Sequence, residues 1–303
     1  MSVVLASQHT AGFAGWRETQ QGAVEQALSR WVPPEAPAGL GDAMRYAVLD
    51  GGKRLRPLLV LATSEAAGGQ PAAAMRAACA VELIHAYSLV HDDMPCMDND
   101  VLRRGKPTVH VRFGEAQALL AGDALQALAF ELLVPDDGSV APGMAALLCR
   151  LLARSAGSSG MAGGQAVDLA SVGLALDQAA LEAMHRQKTG ALLQASVMMG
   201  AATGHVSAGV LTALAQYGAS LGLAFQVVDD ILDVTADSAT LGKTAGKDAA
   251  CDKPTFVSLL GLEQAQAYAD RVLDQAHSAL DQTGLPHLDT LHALADWVGQ
   301  RAH

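Results

Sequence analysis

The sequence predicts an all-α fold, a large single-domain helical bundle. Half of the 303 residues are hydrophobic and only 4% are aromatic, so the core must consist of Ala, Leu, Val and Met, which favour helices over strands. The two loops with the strongest linker character, residues 135–143 and 155–164, are too short to be flexible tethers. Residues 1–303 are therefore expected to form one domain, with residues 1–15 as its flexible segment.

Coarse apolar periodicity predicts helices along almost the whole chain. Pro57 suits a first helical turn, because its missing N–H needs no partner there. Facing helices of a large bundle commonly contribute ligand and metal sites in its interior, so a central cavity is expected. The predicted helices are, in order, 19–32, 40–50, 55–68, 72–93, 115–133, 142–156, 161–170, 178–201, 206–233, 255–261 merging towards 263–283, and 288–300.

Composition excludes several classes of function. The net charge of −11 argues against a nucleic-acid partner, because phosphate backbones bind to basic surfaces. The N-terminal residues lack the basic start and long apolar core of a secretory signal. The cysteines contain no CxxC pair, which argues against a zinc site or a disulfide framework and favours reduced thiols in a cytoplasmic protein. They are Cys79, Cys96, Cys149 and Cys251.

The stretch from Thr189 to Val228 contains no Asp, Glu, Lys or Arg. An apolar run of about 20 residues is typical of a membrane span. This run, however, includes several Gln, Ser and Thr residues, and Gly200 and Gly204 mark a turn. We therefore predict two buried helices in a hairpin and no membrane span.

A first acidic cluster follows the predicted helix 72–93, in the stretch "HDDMPCMDNDVLRR". His85 and Ser88 lie seven and four residues before Asp92, so the three share one helix face. Pro95 cannot continue the helix, and the break allows Asp98 to return towards Asp92. Like charges this close destabilise one another unless a cation lies between them. The alternative is a polar helix end and turn, for which Asp and Asn are common.

A second acidic cluster emerges from the uncharged segment, in "FQVVDDILD". Gln226, Asp229 and Asp233 follow at spacings of three and four, with Asp230 beside them. Carboxylates on a buried helix are costly unless they are paired or bind metal, although a solvated helix end is the alternative. Two Asp clusters without His or Cys ligands favour Mg²⁺, which binds few carboxylates together with substrate phosphates.

Basic residues alternate with these acidic clusters along the chain. "GGKRLRP" begins a helix, where backbone N–H groups also favour an anion. Each basic group alone is more often a solvated surface, but their alternation with Mg²⁺-type clusters favours diphosphate binding. The basic residues are Lys53, Arg54, Arg56, Arg103, Arg104, Lys106, Lys188 beside Thr189, Lys243, Lys247 and Lys253.

These motifs, in their order, resemble those of the trans-isoprenyl diphosphate synthases, especially the bacterial farnesyl diphosphate synthases. The similarity covers at least residues 40–265. Asn99 is a departure, since relatives often carry Asp there, but the three principal aspartates remain. The matching stretches are "GGKRLRP", "DDMPCMDNDVLRRGKPT", "GGQAVDL", "KTG", "FQVVDDILD" and "GK…GKD…KPT".

The resemblance implies an isoprenoid-synthase fold and a Mg²⁺-dependent prenyltransferase that condenses isopentenyl diphosphate with dimethylallyl or geranyl diphosphate. Three Mg²⁺ ions, or Mn²⁺ in their place, would hold the allylic diphosphate. The implied metal ligands are Asp92, Asp93, Asp98, Asp229, Asp230 and Asp233. The resemblance also implies a homodimer.

The resemblance assigns roles to the remaining site residues. Arg103 would assist at the allylic diphosphate, with Lys243 and the less certain Lys253 as further contacts. Lys188, Thr189 and Gln226 would lie near the reacting carbons. Gln165 and Asp168 would orient the metal and phosphate groups, although a buried structural hydrogen bond explains them almost as well. The implied isopentenyl diphosphate contacts are Lys53, Arg56, His85 and Arg104.

Product length is implied by the residues four and five before the first Asp-rich motif, Ser88 and Tyr87. A bulky Tyr87 beneath the growing chain implies the C15 product, farnesyl diphosphate. Tyr87 lies about 140° around an ideal helix from Asp92, so its place on the cavity floor rests on the resemblance, and aromatic packing is the alternative. The competing functions are a C20 geranylgeranyl diphosphate synthase, a class I terpene cyclase and a non-catalytic subunit.

Overall fold

The computed structural model describes residues 2–49, 51–235 and 254–300, with side chains from residue 12 onward. Within these ranges the fold is a bundle of helices, as predicted. Its strands are two residues each: β1, Leu102–Arg103, pairs antiparallel with β2, Lys106–Pro107. The hairpin they form directly follows the first acidic cluster.

The helices of the described residues follow the predicted order. A short 3₁₀ turn, Pro37–Gly39, precedes α2, and a π-helical turn, Arg186–Gly190, follows α9. The helices are α1 Ser2–Trp31, α2 Leu40–Val48, α3 Leu55–Ala66, α4 Pro71–Asp92, α5 Val109–Phe113, α6 Glu115–Leu133, α7 Pro142–Ala156, α8 Met161–Ala170, α9 Gln178–His185, α10 Ala191–Ala202, α11 Ala208–Thr235, α12 Phe256–Leu260, α13 Leu262–Asp281 and α14 Asp289–Gly299.

Several predictions differ from the structure. The helix predicted to merge across residues 255–283 is divided at Gly261, whose φ is +81°, and α5 was not predicted. The predicted helix 178–201 is interrupted by the π-helical turn, which inserts one extra residue per turn and commonly marks functional sites. The first helix begins at Ser2, well before the predicted residue 19. By contrast, the predicted hairpin of two helices within Thr189–Val228 is confirmed, because α10 and α11 pack against each other.

Packing brings the ends of α4 and α11 to one site. Helix α4 packs against α3 and α6, whereas α11 packs against α10 and α13. Small side chains line α4 from Ala73 to Ala80, most of them fully buried, so neighbouring helices approach closely. Both Asp-rich motifs thus stand on buried helices whose positions are fixed by tertiary packing.

Among the residues that the structure describes, three helices are long and apolar enough to cross a membrane when only length and composition are considered. They are Pro71–Asp92, Glu115–Leu133 and Ala208–Thr235, and within the fold 67%, 39% and 50% of their most apolar windows are buried. Helix α6, Glu115–Leu133, therefore has the smallest buried share of the three.

Arg54 links four helices just before α3. Its guanidinium donates to Glu82 on α4 at 2.6 Å, to Glu25 on α1 at 2.6 Å and to the carbonyl oxygen of Val48 at the end of α2. Arg54 is 5% exposed and Glu82 is 2% exposed, so neither charge could be left alone without a large desolvation cost. Arg54 therefore has a structural role, joining α1, α2 and α4 at the start of α3.

We expect the Arg54→Met variant to lose about 3 kcal/mol of unfolding free energy, because Glu82 would remain as a buried charge without its cation. Arg76→Met is the matched control, since Arg76 pairs with the exposed Asp137 and exposed ion pairs contribute little. Urea unfolding measures both. Equal losses in the two variants would contradict the structural role of Arg54.

Candidate active site

The first acidic cluster folds back on the end of α4. The amide of Asp98 donates to the carbonyl oxygen of Asp92 at 2.9 Å, and the amide of Asp100 donates to the carbonyl oxygen of Asp93 at 3.1 Å. Asn99 has a φ of +50°, which Asn tolerates better than most residues. The predicted return of Asp98 after Pro95 is therefore confirmed.

Asp92 and Asp93 occupy different surroundings although they are neighbours. Asp92 lines a cavity and accepts a hydrogen bond from Gln165 Nε2 on α8 at 2.7 Å. Asp93 is 3% exposed and accepts from Arg103 Nε and Nη2 at 2.6–2.9 Å. Burial raises the pKa of the Asp93 carboxyl, and the Arg103 guanidinium opposes that rise. Asp93 is thus placed to orient Arg103, and its role as a metal ligand stays a prediction.

The aspartates of the second acidic cluster likewise have different surroundings. Asp229 lines a second cavity. Asp230 accepts from Gln226 Nε2 through Oδ1 at 3.0 Å and from the amide of Phe256 through Oδ2 at 2.8 Å. Both oxygens of Asp230 are thus engaged within the protein, in a position to orient Gln226. Asp233 is buried on the same helix.

The π-helical turn carries Lys188 and Thr189 into the site. Lys188 Nζ lies 2.5 Å from Asp168 Oδ2 on α8, and the Thr189 hydroxyl donates to Gln226 Oε1 on α11 at 3.0 Å. The turn therefore joins α8 to α11, and it holds the two side chains that were predicted to lie near the reacting carbons.

Two glycines allow these helices to approach the π-helical turn. A Cβ atom at Gly164 would collide with the backbone of Lys188, and one at Gly222 would lie 2.7 Å from the Cα atom of Gly190. Real Cβ contacts are longer than this, so any larger residue would displace the turn. Gly164 and Gly222 consequently fix the distance of Lys188 and Thr189 from α8 and α11.

The predicted cations gather around a cavity of about 560 Å³. Arg56 is 9% exposed, and its Nε–H has no hydrogen-bond partner among the described residues. Burial lowers the pKa of Arg56, and the charges of Glu82 and Asp229 oppose the effect. Such a buried guanidinium is suited to an anionic ligand. The cavity is also lined by Lys53, His85, Arg103, Arg104, Thr189 and Gln226.

His85 lies between the two cavities, since it lines both. Burial holds its pKa well below the ordinary value, and the neighbouring guanidinium groups of Arg56 and Arg104 act in the same direction. The imidazole is therefore neutral at pH 7 and is positioned as a hydrogen-bonding group, with the positive charge supplied by the arginines.

The adjoining cavity has a volume of about 380 Å³ and lies between α4 and α8. It shares Arg56, His85, Leu89 and Thr189 with the cationic cavity. Asp92 stands at its polar end, and its remaining wall is largely apolar. That wall includes Tyr87, Ser88, Met97, Met161, Ala162, Ala166 and Leu169.

Sequence reasoning missed Glu82 and the apolar residues of α8. Glu82 lines the cationic cavity and balances Arg54 and Arg56; its spacing of three before His85 on α4 was the available signal. The apolar residues of α8 that line the cavity, Met161, Ala162, Ala166 and Leu169, carry no signal that could distinguish them from ordinary core. Lys243 and Lys253 lie outside the described residues, as does Arg301.

The carboxylates fit divalent metals that are bound together with a ligand. Among the described ranges, no three His, Cys, Asp or Glu side chains converge closely enough to hold a metal alone. The donors present at the ends of α4 and α11 are hard carboxylate oxygens, with cationic side chains for an anion beside them. Mg²⁺ binds in this manner, through few carboxylates and the oxygens of a phosphate ligand.

Known proteins show the same fold and motifs. The Polyprenyl synthetase family model matches residues 37–284. The farnesyl diphosphate synthase of Escherichia coli (strain K12) is 49% identical over 284 residues, which cover 91% of this chain and 94% of that protein. A chloroplastic heterodimeric geranylgeranyl pyrophosphate synthase large subunit of Arabidopsis thaliana is 45% identical over 294 residues, covering 95% and 79%.

A solved structure agrees with these relatives. The geranyltransferase of Helicobacter pylori, complexed with magnesium and isoprenyl diphosphate, superposes with a TM-score of 0.85 at 35% identity, and covers 94% of this chain and 97% of that one. From the motifs, the fold and these relatives together, the chain belongs to the polyprenyl synthetase family and is a trans-prenyl diphosphate synthase that acts on small isoprenyl diphosphates.

Proposed function

We propose that the chain is a farnesyl diphosphate synthase, a geranyltranstransferase that condenses isopentenyl diphosphate with dimethylallyl or geranyl diphosphate. The observation that carries this proposal is the position of Tyr87. It stands with Ser88 in the wall of the apolar cavity that has Asp92 at its polar end. A chain that grows from a diphosphate held at Asp92 would meet the Tyr87 ring, which favours a C15 product.

The proposed metal ligands are carboxylates of the two Asp-rich motifs. Asp92 and Asp98 from the first motif and Asp229 and Asp233 from the second would hold three Mg²⁺ ions, for which Mn²⁺ could substitute. The H. pylori relative is described with magnesium and isoprenyl diphosphate, which supports the choice of metal and ligand. When bound, the metal ions neutralise the negative charge of the departing diphosphate.

Two groups of cations would hold the two diphosphates. Arg103, oriented by Asp93, would contact the allylic diphosphate, and Lys243 and Lys253 are proposed beside it. The isopentenyl diphosphate would occupy the cationic cavity. There the buried Arg56 guanidinium offers the Nε–H donor that has no partner among the described residues. Its other proposed contacts are Lys53, His85 and Arg104.

In the reaction, the C–O bond of the allylic substrate breaks and both bonding electrons leave with diphosphate. The resulting allylic cation is attacked by the double bond of isopentenyl diphosphate, a new C–C bond forms, and the released diphosphate removes the proton. The oxygen dipoles of Thr189 and Gln226 would stabilise the cation, and Lys188, held by Asp168, would lie beside the leaving group.

The wall between α4 and α8 protects the cation from water. Leu89, Met161 and Leu169 line the apolar cavity, and an apolar lining excludes the solvent that would quench the cation. Asp230 orients the Gln226 amide by accepting its Nε2–H. We therefore propose that Asp230 positions Gln226, and its role as a metal ligand stays a prediction.

The second candidate is a geranylgeranyl diphosphate synthase. It is favoured by the Arabidopsis relative, whose name gives the C20 product. Both enzymes share the chemistry above and differ only in the depth available to the growing chain. The class I terpene cyclase and the non-catalytic subunit are disfavoured, because the chain retains the cationic cavity and both Asp-rich motifs.

We also propose a homodimer in the cytoplasm. Apolar side chains are exposed on the hairpin, α5 and α6, among them Val101 at 58%, Leu102 at 52% and Leu120 at 52%. Exposed apolar surface of this kind often marks an interaction site, and a second copy is the proposed partner. The described cysteines Cys79, Cys96 and Cys149 are free, as expected in a reducing compartment.

The purified protein, supplied with isopentenyl diphosphate, geranyl diphosphate and Mg²⁺, is expected to release diphosphate and form farnesyl diphosphate. Asp92→Asn and Asp229→Asn should each lower kcat/KM by roughly 10²-fold or more, because each removes charge that balances the metals at the leaving group. Asp136→Asn, in an exposed loop, is the control. Undiminished condensation in both site variants would refute the assignment, and cyclic hydrocarbon from geranyl diphosphate alone would indicate a cyclase.

Tyr87→Ala is expected to lengthen the main product from C15 to C20, because it removes the ring that limits the cavity. Mass spectrometry of the products after removal of the diphosphate measures the distribution. Ala162, on the α8 wall of the same cavity, provides the converse variant: Ala162→Leu should not lengthen the product. An unchanged C15 product distribution in Tyr87→Ala would show that the Tyr87 ring does not limit product length.

A further inference from the structure

The Tyr87 ring has one described aromatic contact, which lies on its own helix. The imidazole of His91, one turn later on α4, meets the Tyr87 ring edge to face, with centroids 5.7 Å apart and planes at 76°. This is a favourable geometry for an aromatic pair. His91 also lines the apolar cavity, next to Tyr87, so the two rings form one continuous part of its wall.

The His91 ring is in turn fixed on α6. Its Nε2 lies 3.0 Å from the carbonyl oxygen of Leu119 and 3.9 Å from Asp123 Oδ1. Because a carbonyl oxygen can only accept, Nε2 must carry the proton in this hydrogen bond. The imidazole therefore joins the product-length region of α4 to the neighbouring helix.

Gly122 provides the space for this ring on α6. A Cβ atom at Gly122 would lie 2.5 Å from His91 Cδ2 and 2.8 Å from His91 Cε1. Such distances are shorter than van der Waals contact, so even a methyl group would displace the imidazole. Because Gly122 lies inside α6, its backbone conformation would accept alanine, and the cost of substitution is confined to the ring.

We propose that His91 is a positioning residue for product length: it holds the Tyr87 ring in the wall of the elongation cavity, and Gly122 provides the space it needs. This inference rests on the proposed function, since it concerns how a C15 limit is maintained. His91 acts through Tyr87. A substitution at Gly122 on α6, which does not line the cavity, would therefore alter the product length through His91 and Tyr87.

Product-length ratios from isopentenyl and geranyl diphosphates test this inference in four variants. His91→Ala and Gly122→Ala should each raise the C20 to C15 ratio by roughly three- to tenfold, the order expected when an aromatic pair is lost. His91→Phe retains a ring in the same space and should keep the ratio within about twofold of wild type. Gly143→Ala, in an exposed helix position with nothing within 4 Å, is the glycine control.

The ratio is independent of how much enzyme folds, because only folded molecules form product. Wild-type ratios in both His91→Ala and Gly122→Ala, with a longer product from Tyr87→Ala, would overturn the inference and leave the proposed function intact. A His91→Phe ratio as high as that of His91→Ala would also overturn it. If Tyr87→Ala still formed mainly the C15 product, the proposal that Tyr87 limits product length would fail instead.

Discussion

The structure depends on balancing many closely spaced acidic and basic side chains inside an apolar helical bundle. The carboxylates of Glu82 on α4 and Asp229 on α11 line one cavity with four guanidinium groups, those of Arg54, Arg56, Arg103 and Arg104. Some of these charges are balanced within the chain, as in the pairs Arg54–Glu82 and Arg103–Asp93. The charges that line the cavities are those for which a diphosphate with its metal ions is the complementary ligand.

The charged residues thus fall into two groups: some hold other residues of the site in place, and the others line its cavities. In each Asp-rich motif the two adjacent aspartates have different partners. Asp92 lines the apolar cavity and Asp229 the cationic cavity, whereas Asp93 holds Arg103 and Asp230 holds Gln226. The alternation follows from helix geometry, because successive side chains point about 100° apart. Preorganised donors of this kind need little reorganisation when the charge develops.

Sequence patterns predicted most of the helices, because apolar periodicity and prolines are local signals. They also predicted the return of Asp98 to Asp92, since Pro95 must end the helix. The π-helical turn at Lys188 was not predictable in this way, because it arises where α8 and α11 press on the turn through Gly164 and Gly222. Which aspartate of a pair faces the cavity likewise depends on tertiary partners.

We propose that the carboxylates of Asp92 and Asp229 bind one diphosphate through divalent metal, whereas the cationic cavity binds the other directly. Isothermal titration with geranyl diphosphate and with isopentenyl diphosphate, each with Mg²⁺ and with excess chelator, tests this claim. Chelation should abolish the binding of geranyl diphosphate and leave the binding of isopentenyl diphosphate nearly unchanged. Equal affinity for geranyl diphosphate with and without metal would contradict it.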